Sequence, residues 1–251
     1  MEPAAKIGPI LRLLDQHYPK VHVTLNFTNP LELLVATILS AQCTDARVNQ
    51  VTPGLFRRFP DASAFSTAAP RELEEAIRST GFFRSKTKAL RGAARAIVEQ
   101  HGGRVPDTMT ELHLLPGVGR KTANVVLGNA FGKPDGVVVD THVGRLARRL
   151  GWSRELDPAK VEQDLNGRIP RERWVWISHA LILHGRAVCT ARKPRCEACA
   201  LADICPKIGV RPQEISAKGA RTRRLPAARG AHVQRKSARP VRSLPRPRSS
   251  T

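Results

Sequence analysis

Leu115-Pro116-Gly117-Val118-Gly119-Arg120-Lys121-Thr122-Ala123 joins two stretches of helical pattern, and its reading decides the fold. Pro116 and Gly117 make a turn, and the two glycines allow left-handed backbone and close approach of another molecule. The backbone N–H groups at the start of the second helix have no acceptor within it, so they point outward and suit an anion such as a nucleic-acid phosphate. This is the logic of a helix–hairpin–helix. Pro-Gly-x-Gly followed by Arg-Lys is a more specific signal than the single glycine of a generic helical hairpin.

On either side the chain reads as helical. Residues 5–17 set Ile7, Ile10, Leu11 and Leu14 at helical spacing. Asn29-Pro30 opens a very apolar helix over 31–41, and further helices are predicted over 45–58, 70–78 and 85–101. Asp107 or Thr108 caps a short helix that ends near Leu115. The helix after the hairpin runs over 119–131, and Gly132-Lys133-Pro134-Asp135-Gly136 breaks it. Val137-Val138-Val139 is β-branched and extended, Asp140 caps a helix reaching Leu150, and two more helices fit 158–167 and 170–186. The fold class expected is all-α.

Four of the five cysteines lie close together, as Cys189-x6-Cys196-x2-Cys199-x5-Cys205. In a chain with no secretory signature such a group points to a metal site before disulfides. Four thiolates suit either zinc or a [4Fe–4S] cluster, but zinc sites usually have two close pairs and here there is one, which favours the cluster. The long arm holds Arg192, Lys193 and Arg195, three cations that a folded loop would present to phosphate. A solvated basic loop is the alternative.

The 251 residues carry 42 Lys and Arg against 21 Asp and Glu, a formal net charge of +21. Residues 207–251 hold thirteen of those cations and one acid, Glu214, so +12 lies there and +9 on residues 1–206. A polyanionic partner is implied for both parts. The segment 208–251, with its prolines, arginines and few large apolar residues, reads as a disordered basic tail. No run of eighteen apolar residues is present, and Met1–Ile7 lacks the basic-then-apolar pattern of a signal peptide, so the expected setting is cytoplasmic, with no membrane partner.

Two residues carry candidate chemistry. Lys121 lies in the first turn of the hairpin's second helix, beside Arg120 and near the positive end of the dipole, and both neighbours disfavour the charged ammonium. A neutral amine is what attack on a sugar carbon needs. A lysine that only binds phosphate fits the same position. Ten helical residues rise about 15 Å and five extended residues return about 16 Å, so the chain can bring Asp140 back toward the level of Lys121. A carboxylate there can support a developing cation or move protons. The alternative for Asp140 is a helix cap.

Taken together the residues resemble the endonuclease III family of DNA glycosylases, over roughly 5–207. The carriers are Leu39-Ser40-Ala41-Gln42, Gly81-Phe82-Phe83 with Lys86, residues 115–127, Val139-Asp140-Thr141-His142 with Arg145, and Leu183-His184-Gly185-Arg186 leading into the cysteine loop. The resemblance implies two helical domains with a DNA-binding cleft between them: a six-helix barrel over 23–132 containing the hairpin, and a domain made of 1–22 and 133–207 that holds the cluster. It implies that Lys121 is the Schiff-base nucleophile, Asp140 the catalytic carboxylate, Gln42 the filler of the space left by a flipped base, and Cys189, Cys196, Cys199 and Cys205 the ligands of a [4Fe–4S] cluster. Gly117, Gly119, Arg120, Phe82, His142, Arg192, Lys193 and Arg195 are the further expected DNA contacts. The implied activity is removal of oxidised pyrimidines from duplex DNA followed by strand cleavage, by a monomer that associates with the nucleoid if bacterial. Adenine-mismatch glycosylases share cluster and hairpin but usually lack the lysine.

Two departures from the family pattern stand out. Cys43 follows Gln42 where a small non-thiol residue is expected, and it reads as a packing residue rather than a ligand. Phe82 stands where an aliphatic wedge is expected; an aromatic ring can still wedge between bases. His142 reads as an orienting residue before an acid–base group.

Overall fold

Helix starts are fixed by local caps. In the computed structural model, which describes residues 6–211, Asn29 accepts from the backbone N–H of Glu32 at 2.9 Å while the Glu32 carboxylate takes Thr28 N–H at 2.6 Å, and Pro30 is the first helical residue. Thr44, Asp61, Thr108, Asp140 and Asp157 cap later helices in the same way. The helices are α1 (Ile7–His17), α2 (Pro30–Leu39), α3 (Asp45–Arg58), α4 (Ala62–Thr67), α5 (Pro70–Ile77), α6 (Phe83–His101), α7 (Met109–Leu114), α8 (Arg120–Val126), α9 (Thr141–Arg149), α10 (Pro158–Asn166) and α11 (Trp174–Ala187). Short 3-10 turns cover Arg78–Thr80, Arg171–Arg173 and Cys196–Ala198. Among the described residues there is no strand, so the architecture is all-α. Most of the tail expected over 208–251 lies outside the described residues.

Two buried clusters form. The first runs from Leu25 to Leu127 and draws on α2 to α8 and the turn after α8, with Leu33, Leu39, Leu73, Ile77 and Ile97 fully enclosed. The second combines Ile10 and Leu14 of α1 with Val137, α9, α10, α11 and Leu201 around Trp152. α1 reaches that second core because Trp176 donates its indole N–H to Tyr18 O at 2.9 Å and Arg173 pairs with Asp15 at 2.8 Å. Residues 23–132 carry seven α-helices, one more than the six-helix expectation. The addition is α4, whose six residues are too few to show a period.

Two departures from the sequence expectation sit where the cores meet. The helix expected over 119–131 is α-helical only to Val126 and widens into a π turn over Leu127–Phe131. Asn129 in that turn donates to Val125 O at 2.8 Å and faces His179 Nε2 of α11 at 3.0 Å. A Cβ on Gly128 would stand 2.8 Å from Val175 Cγ2, so glycine is what lets α11 approach. Burial pushes His179 down to about 4, which keeps the seam neutral there. The segment Val137-Val138-Val139 is extended but has no strand partner among the described residues. Asn166 Oδ1 accepts from Val137 N–H and Ser178 Oγ from Val138 N–H, both at 2.9 Å, which satisfies buried backbone that a sheet would otherwise have paired.

Candidate active site and cysteine loop

The hairpin is seated by small residues on two elements. Gly117 has φ +77°, and a Cβ on it would lie 2.4 Å from Ala89 Cβ of α6. Gly92, one turn on, makes room for Pro116, whose Cβ would stand 2.9 Å from a side chain there. Val118 closes the turn with its N–H on Leu115 O at 3.0 Å and is buried. Gly119 precedes α8, and no side chain caps its first turn. An exposed, uncapped helix start is therefore held rigidly against α6.

Lys121, the second residue of α8, is exposed. Arg120 beside it is committed elsewhere: Nε and Nη2 donate to the two Glu162 carboxylate oxygens at 2.9 and 2.8 Å, and Nη2 also reaches Asp135 Oδ2 at 3.3 Å. This fork joins α8 to α10 across the two cores, and Glu162 holds the guanidinium above its ordinary pKa. The charge expected to act on Lys121 from Arg120 is thus compensated, and a phosphate would have to compete with Glu162 for it. The return of the chain is pinned at Asn124, which donates to Gly136 O at 2.8 Å and accepts from Asp135 N–H at 3.1 Å. Asn124 is one helical turn beyond Lys121, so the four residues from Gly136 to Asp140 have about 13 Å of reach.

Asp140 caps α9 with one oxygen. Oδ1 accepts from the N–H groups of His142 and Val143, both at 2.8 Å, and among the described residues Oδ2 has no hydrogen-bond partner. The carboxylate is therefore oriented by the cap and half available. His142 Nδ1 lies 3.1 Å from Arg145 Nη2, which places the imidazole proton on Nε2, and burial lowers the pKa of the ring. Arg145 goes on to Gly185 O and Cys189 O, so α9 ties the carboxylate to the cysteine loop.

Gln42 and Phe82 lie on separate turns, after α2 and before α6, and both are exposed, Phe82 at 62%. Their backbones are left-handed, with φ 53° and 46°. Neither residue is glycine, so each turn stores strain of roughly 1–3 kcal/mol, a pattern that concentrates at working sites. The sequence held no sign of this strain.

Cys189, Cys196, Cys199 and Cys205 line one cavity, together with Arg149 and His184. Among the described residues no three His, Cys, Asp or Glu side chains converge as ligands of a single ion. Four cysteine thiols around one cavity are a donor set that would hold a [4Fe–4S] cluster. Two groups donate to sulfur, Arg149 Nη1 to Cys189 at 3.1 Å and Leu201 N–H to Cys199 at 3.4 Å; His184 Nε2 lies 3.4 Å from Cys199 Sγ and its Nδ1 lies 3.1 Å from Tyr18 OH. Burial pushes a free Cys199 thiol up to about 12, so a thiolate there needs a metal to replace its proton. Arg149, which also takes Thr190 O and Ala191 O, was not singled out from the sequence, where it is one arginine among many. Cys43 stands apart from this cavity and packs against the first core. Arg192, Lys193 and Arg195 are exposed, and Arg195 turns its guanidinium back to Ala187 O at the end of α11.

Comparison with known proteins gives a consistent result. The HhH-GPD superfamily of base excision DNA repair proteins matches residues 35–171, and the iron–sulfur binding domain of endonuclease III matches 189–205. Endonuclease III of Synechocystis sp. is 56% identical over 197 residues, 78% of this chain and 90% of that protein. Endonuclease III of Escherichia coli K12 is 41% identical over 201 residues, 80% and 95% of the two chains. A non-covalent endonuclease III–DNA complex superposes with TM-score 0.75 at 42% identity, covering 79% of this chain and 93% of that one. A trapped endonuclease III–DNA covalent intermediate, an estranged-adenine complex, gives 0.73 at 42%, covering 78% and 94%.

Proposed function

Because the chain belongs to the endonuclease III family of base excision DNA repair proteins, we propose that Lys121 and Asp140 are its catalytic pair. The protein is a DNA glycosylase and AP lyase with a [4Fe–4S] cluster. The observation that carries the assignment is an exposed amine at the uncapped start of α8, one helical turn before the Asn124 that pins the chain return leading to Asp140, whose second oxygen caps nothing. The covalent intermediate trapped with a relative fits an amine nucleophile.

The chemistry follows from these groups. A base inside a duplex is out of reach and must be flipped out, which costs least for a damaged one. Phe82 wedges at the vacated step and Gln42 fills the gap, while the N–H groups at the start of α8, after Gly119, hold a phosphate. Lys121 Nζ attacks C1′ as the C1′–N bond breaks and the base leaves with a proton. Asp140 offsets the positive charge on the sugar. The sugar ring then opens, the C1′–O4′ bond breaking with O4′ retained as a 4′ hydroxyl, to give an imine that acidifies the C2′ protons; removal of one expels the 3′ phosphate by β-elimination. His142 orients Arg145 rather than carrying a proton. Cys189, Cys196, Cys199 and Cys205 hold the cluster, which when bound cross-links the loop bearing Arg192, Lys193 and Arg195 for phosphate contact.

The same reading divides the chain into a domain of 1–22 and 133–207 and a barrel domain of 23–132, supported by the two buried cores. It makes the protein a cytoplasmic, nucleoid-associated monomer. Oxidised pyrimidines are the proposed substrates. On a duplex with one thymine glycol, release of that base and a nick at its site are expected, with an undamaged duplex left intact. Excision of uracil or mismatched thymine with thymine glycol untouched would overturn the substrate assignment.

A further inference from the structure

One buried cation links the two strained turns. Lys86 is the fourth residue of α6 and is 5% exposed. Its Nζ donates to Leu39 O and to Thr80 O, each at 2.8 Å. Leu39 is the last residue of α2, three before Gln42, and Thr80 ends the 3-10 turn two residues before Phe82. Both carbonyls are orphans of helix ends and would be buried unsatisfied without this ammonium. A lysine in the first turn of α6 is misplaced with respect to the dipole of its own helix, but it sits well at the C-terminal end of α2. Burial lowers its pKa.

We propose that Lys86 is a positioning residue that clamps the turns of Gln42 and Phe82 at one fixed separation, so that both side chains enter the duplex at the same base step. The proposal rests on the roles assigned above to Gln42 and Phe82. A plain structural lysine would satisfy the same two carbonyls, but its loss would impair everything the protein does. A clamp affects only steps that need the two turns. A lesion within a duplex needs them; an abasic site in single-stranded DNA has no stack to open and no partner base to leave behind.

The test uses the cluster-loaded full chain with Lys86→Met, and with Lys86→Gln where Met lowers iron content or the melting temperature too far. Single-turnover release of thymine glycol from duplex DNA is expected to fall about 10- to 100-fold, the scale set by a misplacement of about 1 Å. Cleavage at an abasic site in single-stranded DNA should stay within about twofold. In a Gln42→Ala/Phe82→Ala background the same Lys86 change should alter duplex excision by less than about twofold, because the groups it positions are gone. Equal losses on duplex and single strand, or the same fold loss in both backgrounds, would overturn the clamp alone. If the Gln42→Ala/Phe82→Ala protein excises as fast as wild type, the assignment of the two turns fails and the clamp fails with it.

Discussion

Lys121→Gln is expected to reduce base release and strand cleavage by on the order of a thousandfold or more, with no covalent complex formed on reduction by borohydride. Glutamine keeps most of the length, a hydrogen-bond donor and good helix propensity, and Lys121 is exposed, so folding stability should move by less than about 0.5 kcal/mol. DNA binding should weaken only by the loss of one cation, lowering the salt slope by about one contact. That separation of chemistry from binding is what distinguishes a nucleophile from a lysine that merely holds phosphate. If excision fell only in proportion to affinity, the phosphate reading would stand and the amine that reacts would have to be sought elsewhere.

Asp140→Asn carries the second large effect. Asparagine caps a helix about as well as aspartate, so the bonds from His142 and Val143 to Oδ1 survive and α9 stays in place. What is lost is the negative charge, and excision should fall by roughly 100- to 1000-fold with stability near wild type. Asp140→Ala loses charge and cap together and should cost about 1 kcal/mol more in stability. Because Arg145 and Arg149 of the same helix grip the start of the cysteine loop, some of that cost should appear as easier iron loss. Were Asp140 only a cap, the Asn protein would be fully active and the Ala protein merely less stable; kinetics and melting curves of the two variants decide between these accounts.

The parts of this architecture legible in the sequence are local. Asn29-Pro30, Thr108 and Asp140 announce their helices because a cap acts over three residues. The cysteine spacing and the hairpin glycines speak for themselves in the same way. What escaped depends on residues far apart in the chain. Arg120 pairs with Glu162, 42 positions away, and no pattern near residue 120 hints at that partner. The extended valines were legible, but not that Asn166 and Ser178 would stand in for a strand. The π turn lies where Gly128 packs closely against α11, a long-range contact that no local pattern shows. The left-handed backbones of Gln42 and Phe82 defy the preferences of those residues and are imposed by the turns around them. Lys86 was visible as part of a motif, whereas its bonds to two helix ends could be seen only in three dimensions.

The most direct test of the central claim is to reduce the complex formed on a thymine-glycol duplex with borohydride, digest it, and locate the sugar remnant by peptide mass spectrometry. The account predicts a single modified residue, Lys121, in the peptide that follows Arg120. A remnant on the chain's amino terminus, or on any other lysine, would contradict it.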